Sequence, residues 1–144
     1  MDGITPRETT AQSIISGMRR GKVIAFGANI YPLEPRADHY GSGPDRRGLE
    51  SAVREQSAVY DKLASLDPNL RIVRGRNSLI EAINQKNVLT MLKSIEGMDG
   101  WNGNPEILHL MTEIGILWLM PFWNTDNRLG SGGGAKINED RGLT

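Results

Sequence analysis

The sequence predicts an α/β fold in which parallel strands alternate with helices. Apolar runs with the length of strands occur at residues 23–31, 88–95 and 116–120, and segments with helical periodicity lie before and between them. Parallel strands need crossover connections, which helices usually supply. The chain has 144 residues, the usual size of one domain, so we expect a single α/β domain over 1–144.

Composition and charge exclude several classes of function. The chain has 17 basic and 17 acidic residues and a formal net charge of +0, so a nucleic-acid-binding role is not expected. It has no cysteine, which excludes disulfides, thiolate metal ligands and cysteine nucleophiles. No apolar run is long enough to span a membrane and no signal peptide is evident, so we expect a cytoplasmic protein.

The first elements are predicted from periodicity and from residues that end helices. Residues 1–9 show no pattern and are expected to be irregular. Residues 10–19 fit a short helix that ends near Gly21. Residues 23–31 carry β-branched and aromatic side chains and no charge, which predicts a buried strand.

A long polar loop is expected at 32–45, where three prolines and two glycines occur. Loops of this length are often functional lids or disordered segments. We expect His39, which lies within it, to be a solvated loop histidine, the alternative being a contact to substrate. Residues 47–65 then repeat apolar side chains at helical spacing, and Pro68 marks the end of that helix.

Two short elements precede the central strand. Residues 70–74 alternate in the manner of a short strand. Ser78 and Glu81 have the spacing of a capping box, in which a serine side chain caps a helix and an acid three residues later returns the bond. The sequence therefore predicts a helix that starts at Ser78 and ends at Asn87.

The central strand is followed by an acid and a glycine. Residues 88–95 are mostly apolar, which is typical of a parallel strand buried on both faces. Glu96 and Gly97 end the run, and α/β folds place their binding and catalytic groups at the C-terminal ends of strands. Glu96 is therefore a candidate functional residue, the alternative being an ordinary acid at a strand end.

One more helix and strand are predicted after this acid. Asn104 suits an N-cap, Pro105 suits the first helical turn, and Gly115 suits the position past the end. His109 lies off the apolar stripe of this helix and is expected at its surface rather than as a ligand. A wholly apolar strand is expected at 116–120.

The last segment, residues 124–144, is polar and rich in glycine. The run at 130–134 is similar to a phosphate-binding loop, but it lacks the Lys-Ser/Thr ending of a P-loop and the glycine spacing of a dinucleotide fingerprint. We expect a flexible connector. A phosphate-binding α/β module is therefore the weaker alternative function.

Several short motifs occur in an order that resembles one enzyme family. In chain order they are Met18-Arg-Arg-Gly-Lys-Val23, Ser94-Ile-Glu-Gly97, the helix to Gly115, the strand to Met120, Trp123-Asn-Thr-Asp-Asn127 and Arg141-Gly-Leu-Thr144. Together they resemble the membrane (renal) dipeptidases, which are zinc metallopeptidases. The resemblance implies the N-terminal half of a (β/α)8, TIM-like barrel. It also implies two zinc ions at the C-terminal ends of the strands and the hydrolysis of dipeptides.

The resemblance assigns roles to three residues. Glu96 matches the carboxylate that bridges the two zinc ions in this family, where a shared anion offsets the repulsion between two cations. Trp123 and Asn124 match a position that contacts substrate. Trp123 is then a candidate wall of the substrate pocket, the alternative being a buried aromatic side chain at a strand end.

The sequence also departs from the family. The first strand of the family carries a His-x-Asp ligand pair, whereas Asp2-Gly3 is followed here by Ile4-Thr5-Pro6. Neither His39 nor His109 matches one of the two later histidine ligands. A catalytic zinc needs about three protein ligands, so we assign no catalytic residue and expect the chain to be inactive alone.

Two functions of different classes follow. The first is a zinc-dependent dipeptidase, present here as a truncated barrel with a dipeptide as its substrate. The second is a non-catalytic remnant or binding domain that has kept the sheet and lost the metal site. A barrel of this type needs about 250 residues, and an open half exposes strand edges. We therefore expect self-association or pairing with a missing C-terminal half.

Overall fold

The computed structural model describes residues 6–32, 49–98, 101, 103–122, 127–133 and 142 of the chain. Its elements are α1 (Pro6–Arg20), β1 (Ala25–Ile30), α2 (Leu49–Leu66), β2 (Leu70–Val73), α3 (Arg76–Ile83), β3 (Leu89–Glu96), α4 (Glu106–Ile114) and β4 (Trp118–Met120). Helices and strands alternate along the chain, as the periodicity of the apolar residues predicted.

The sheet has four strands, all parallel, and β3 lies at its centre. One edge of β3 pairs with β1 along residues 90–95. The other edge is shared, because β2 pairs with residues 89–92 and β4 with residues 94–96. The sheet is open: among the described residues, β1 and β4 have no further strand beside them.

Two apolar clusters hold α1, α2 and α4 against one face of this sheet. The first consists of Ile30, Leu49, Val53, Ile95, Met98, Ile107, Leu110 and Met111. The second consists of Ile15, Ala28, Leu63, Leu70, Leu89 and Met91. Since burial of one large apolar side chain contributes about 1.5–3 kcal/mol, β3, which supplies residues to both clusters, is the main support of the fold.

The strands differ in burial from what their composition predicted. β3 is buried on both faces, as expected, with only Leu92 and Glu96 half-buried. β1 was predicted to be buried, but its alternate residues Gly27 and Asn29 are exposed. The prediction is wrong for that face because both apolar clusters pack against the opposite one, through Ala28 and Ile30. β4 starts at Trp118, later than predicted, and all its residues are exposed.

The N-terminal helix begins earlier than predicted. The expectation of irregular structure up to residue 9 is wrong from Pro6 onward, since α1 starts there. A proline is tolerated in the first helical turn because the N–H that it lacks would have no helical partner at that position. Residues 1–5 lie outside the described part of the chain.

The capping box predicted at Ser78 is wrong. Gly75 precedes α3, and Ser78 lies within its first turn. The Ser78 hydroxyl donates to Gly75 O at 2.9 Å and accepts from Arg74 N at 3.2 Å. α3 also ends at Ile83 and not at Asn87, which has a φ of 65° where the chain turns into β3.

The predicted C-terminal end of α4 is confirmed, whereas the helix starts at Glu106 with Pro105, and not Asn104, at the N-cap. Asn104 Oδ1 still accepts a hydrogen bond from Glu106 N at 3.0 Å, the first residue of the helix. Gly115 has a φ of 84°, and the next N–H, that of Ile116, donates to Met111 O at 2.8 Å. This is the left-handed ending that glycine favours.

Parts of the predicted loop and tail lie outside the described residues. They include residues 33–48 with His39, and residues 134–141 of the glycine-rich tail. Asn127 and Gly130 form a short turn closed by a bridge between them. The assignment of the tail as a flexible connector therefore stays a prediction. None of the helices in the described ranges is long and apolar enough to cross a membrane.

Candidate functional site

Three strands bring polar side chains together at one edge of the sheet. Glu96 ends β3 and lies opposite Met120, which ends β4. On the other side, Asn29 of β1 lies opposite Ser94. Side chains two residues apart on a strand share a face, so Asn29, Ser94 and Glu96 lie together on the face away from the helices. We call these three residues the strand-tip cluster.

Hydrogen bonds join the strand-tip cluster in series. Ser94 Oγ donates to Asn29 Oδ1 at 2.9 Å, and Asn29 Nδ2 donates to Glu96 Oε2. The chemistry fixes the direction of the amide, because an ionised carboxylate can only accept hydrogen bonds. The amide nitrogen must therefore face Glu96, which leaves the amide oxygen for the serine. Bonds of this charge-assisted kind are stronger than neutral ones.

Helix α2 holds the end of β1 that carries Asn29. The Tyr60 hydroxyl donates to Asn29 O. Gln56 bonds both backbone groups of Tyr31, since its Oε1 accepts from Tyr31 N and its Nε2 donates to Tyr31 O, each at 3.0 Å. Burial raises the pKa of the Tyr60 phenol above its ordinary value. The hydroxyl therefore keeps its proton and remains a donor.

A buried lysine joins α2 to β3 on the helix-covered face. The Lys93 side chain is 0% exposed, and its Nζ lies 2.7 Å from Asp61 Oδ1 and 2.7 Å from Ser57 Oγ. A buried ammonium costs several kcal/mol unless it is paired, so these bonds fix α2 on β3 three residues before Glu96. The sequence did not predict this pair; its one signal was a lysine in the middle of a mostly apolar strand.

A glycine turn fixes the chain directly after Glu96. Gly97 has a φ of 84°, a conformation that glycine adopts without steric cost. Its N–H donates to Met120 O at 2.8 Å, and Met98 N donates to Pro121 O at 3.1 Å. The chain thus leaves β3 alongside the end of β4, and Glu96 stays at the tip of the central strand.

Two exposed apolar side chains flank the cluster. Trp118 lies opposite Ser94 and Met120 opposite Glu96, and they are 64% and 40% exposed. Paired residues of neighbouring strands share a face, so both lie beside the polar group. An exposed apolar patch beside polar residues is typical of a binding surface or an interface. Sequence analysis missed these two, although their alternate positions in an apolar strand were a usable signal.

Comparison with solved structures identifies the fold. An amidohydrolase from Pseudomonas aeruginosa superposes with a TM-score of 0.72 and 16% identity, covering 92% of this chain and 36% of that one. A metallopeptidase described as dipeptidase AC gives 0.69 and 16%, covering 90% and 40%. A metallopeptidase from Rhodobacter sphaeroides, bound to a phosphinate mimic of the dipeptide L-Ala-D-Ala, gives 0.64 and 16%, covering 90% and 43%.

The chain has an open α/β fold that is similar to part of these amidohydrolase and metallopeptidase structures. The predicted class, parallel strands that alternate with helices as a partial TIM-like barrel, is confirmed. At 16% identity the likeness extends to the fold and no further. The described strands close no barrel, and the chain spans well under half the length of these neighbours.

Comparison with curated sequences adds two distant relatives. An uncharacterized protein in the pqqA 5′ region of Klebsiella pneumoniae is 40% identical over 53 residues, which are 37% of this chain and 20% of that protein. An uncharacterized protein in the PQQ-III 3′ region of Acinetobacter calcoaceticus is 26% identical over 100 residues, 69% of this chain and 31% of that protein. No protein-family profile matches the sequence.

The described residues do not by themselves fit a catalytic zinc. Among them, no three His, Asp or Glu side chains lie close enough together to hold a metal ion. A catalytic zinc needs about three protein ligands, whereas the described residues at the strand tips supply the single acid Glu96, one oxygen of which already bonds Asn29. His109 is exposed on α4, as predicted, and is no part of this cluster.

The other predicted site residues are not tested. Trp123 and Asn124 lie outside the described residues, which resume at Asn127. The role of Glu96 as a metal ligand also stays a prediction, although its position at a strand tip is observed.

A cavity of about 210 Å³ lies at the opposite end of the sheet, between α1 and the end of α2. Its polar wall is an ion pair in which Arg19 Nη1 lies 2.6 Å from Asp67 Oδ2. Hydrogen bonding from Arg19 lowers the pKa of the Asp67 carboxyl below its ordinary value, and the Asn69 N–H adds to the effect. This cavity is remote from the strand-tip cluster. The Arg19–Asp67 ion pair joins α1 to the residue that directly follows α2.

Proposed function

We propose that this chain forms part of a zinc-dependent dipeptidase in which Glu96 is a metal ligand. One observation carries the proposal: an oriented acid ends the central parallel strand of a fold shared with metallopeptidases. Barrel enzymes of this kind place their reactive groups at that end of the sheet. Since a likeness in fold is only an analogy of function, the activity must be tested directly.

The proposed substrate is a dipeptide. The metallopeptidase from R. sphaeroides, which shares the fold, binds a mimic of L-Ala-D-Ala. Trp123 and Asn124 follow β4 closely in sequence and are proposed to contact the substrate beside Glu96. Trp118 and Met120 supply apolar surface next to the same acid.

We also propose that the 144 residues alone are inactive and need further polypeptide. The described strand tips supply one acid, too few for a catalytic zinc. β4 exposes all its residues, and natural proteins cover such edges by pairing. Further β/α units, or a second copy of the chain, would cover it. A compact monomer in multi-angle light scattering would contradict this proposal of association.

A second function, a binding domain without catalysis, is favoured by the same shortage of metal ligands in the described part of the chain. The two functions differ in what the genomic DNA encodes after Thr144. Two histidines at later strand ends would support the dipeptidase. A reading frame without them would support the binding domain.

The activity is tested with the purified chain, Zn²⁺ and L-Ala-D-Ala. Release of alanine is followed by chromatography, and bound zinc is measured by elemental analysis. We expect no turnover and no tightly bound zinc. The variants are Glu96→Gln and, as a matched control, Glu81→Gln, an exposed acid on α3. Turnover that Glu96→Gln abolishes and Glu81→Gln preserves would show that the chain is a complete catalyst and would overturn the proposed inactivity.

A further inference from the structure

We infer that Asn29 is a positioning residue, whose side-chain amide holds the Glu96 carboxylate in one orientation before any ligand arrives. The use of that orientation in catalysis rests on the proposed function. The positioning itself rests on the contacts of the strand-tip cluster and can be tested without zinc or substrate.

The Asn29 side-chain amide is held at both ends. Its oxygen accepts from Ser94 Oγ at 2.9 Å, and its nitrogen donates to Glu96 Oε2. Ser94 is buried, so little water competes for its hydroxyl. Rotation of the amide would break both bonds and would turn its oxygen toward the carboxylate, an acceptor facing an acceptor.

The backbone of Asn29 is fixed as well. It pairs in register with Ser94 of β3 on one side. Its carbonyl accepts from the Tyr60 hydroxyl of α2, and Gln56 of the same helix bonds both backbone groups of Tyr31, two residues further along. The amide is therefore mounted on a strand end that the sheet and a helix both hold, which is the kind of support that keeps a functional group in place.

The group that donates to Glu96, the Asn29 amide, carries no charge. Lys93, the nearest cation along β3, bonds Ser57 and Asp61 on the opposite face of the sheet. Within the described ranges, Glu96 forms no ion pair, and its side-chain bond comes from a neutral amide. An arginine or lysine would neutralise the acid as well as orient it. A neutral donor orients the carboxylate and leaves its negative charge available to a cationic or N–H-bearing ligand.

The test reads the rotamer of Glu96 by NMR in the full, isotopically labelled chain without metal. Side-chain three-bond couplings are compared in the wild type, Asn29→Ala and the matched control Asn77→Ala, which changes an exposed asparagine of α3. We expect one dominant Glu96 rotamer in the wild type and in Asn77→Ala. In Asn29→Ala we expect averaging toward about one third in each of the three staggered wells. A single Glu96 rotamer that persists in folded Asn29→Ala would overturn the inference.

A second variant covers the case in which Asn29→Ala does not fold. Ser94→Ala keeps the amide but removes the donor to its oxygen, and we expect loss of the single Glu96 rotamer. A single Glu96 rotamer that persists in folded Ser94→Ala would count against the inference. Failure of the zinc and dipeptide assays would refute only the proposed function, because the rotamer measurement contains neither reagent.

Discussion

β3 and β4 are neighbouring parallel strands of apolar composition, yet they differ sharply in burial. Ile95 of β3 and Leu119 of β4 are partners in the sheet register. Ile95 is 1% exposed and Leu119 is 36% exposed. β3 has strands along both edges and α2 across one face, whereas β4 pairs along one edge in the described structure. Apolar composition thus predicts a strand, and its neighbours decide whether the strand is buried.

The strand-tip cluster lies where these two environments meet. Glu96 belongs to the well-packed strand, but it lies opposite Met120 of the exposed one. Asn29 and Ser94 anchor the acid from the packed side. The cluster is therefore supported by β1 and β3 on one side and borders the exposed strand β4 on the other.

The largest expected effect comes from the register pair itself. Ile95→Ala should lower the free energy of unfolding by about 2–5 kcal/mol, because it leaves a cavity in the core. Leu119→Ala, which removes a similar volume from the exposed strand, should cost less than about 1 kcal/mol. Urea unfolding followed by circular dichroism measures both.

Equal losses of unfolding free energy in Ile95→Ala and Leu119→Ala would contradict the difference in burial between β3 and β4. They would mean that the proposed association covers the Leu119 side chain in solution and not only the edge of β4. In that case the cost of Leu119→Ala should depend on protein concentration, since a partner that binds only the folded state adds stability by mass action.

The next prediction tests how buried Lys93 of β3 contributes to the packing of α2 on that strand. Asp61→Ala leaves the Lys93 ammonium in the core with only Ser57 as a bonded partner among the described residues. It should cost about 2–3 kcal/mol, below the usual range for a buried pair because Asp61 is partly solvated. Lys93→Met removes the charge with little change in volume and should cost less than about 1 kcal/mol.

The control for this pair is Glu50→Ala, which breaks the exposed ion pair with Arg54 on the same helix. It should cost less than about 0.5 kcal/mol. A larger loss for Lys93→Met than for Asp61→Ala would show that the ion pair itself, rather than relief of a buried charge, supports α2 on β3.

The smallest change in the free energy of unfolding is expected from the Arg19–Asp67 ion pair, and this change depends on pH. Hydrogen bonding from Arg19 depresses the folded-state pKa of Asp67. The ion pair therefore contributes its full stability above the ordinary aspartate pKa of about 3.9. This stability is lost as the pH falls through the lower pKa of the folded state. Asp67→Asn should therefore cost under about 1 kcal/mol at pH 7. The gap to the wild type should close below about pH 4 in acid unfolding curves. A gap that stays constant at low pH would exclude a contribution from this charge.

Local signals in the sequence predicted which segments form helices and strands better than they predicted the residues at which the helices begin and end. The Gly115 ending of α4 was predicted, and the start to within a residue or two, because these signals act within a few residues of themselves. The capping box at Ser78 was predicted by the same type of rule and is wrong, because the helix had already started after Gly75. Spacing alone cannot say which of two nearby polar residues begins a helix.

The sequence predicted one residue of the strand-tip cluster, Glu96, but not the asparagine that bonds it. Glu96 was found because an apolar run ends there and a glycine follows. Asn29, which orients it, lies 67 residues earlier in the chain and carries no local signal. The Lys93–Asp61 pair is separated by 32 residues and was missed for the same reason.

The sequence by itself determined the order of helices and strands, the parallel sheet and the position of an acid at the end of its central strand. These depend on periodicity and on the preferences of single residues, which act over a few positions. Only the tertiary structure decided that β4 is exposed, that Lys93 is paired in the core and that Asn29 holds Glu96. Burial and hydrogen bonding between distant residues depend on which strands become neighbours, and that information is spread over the whole chain.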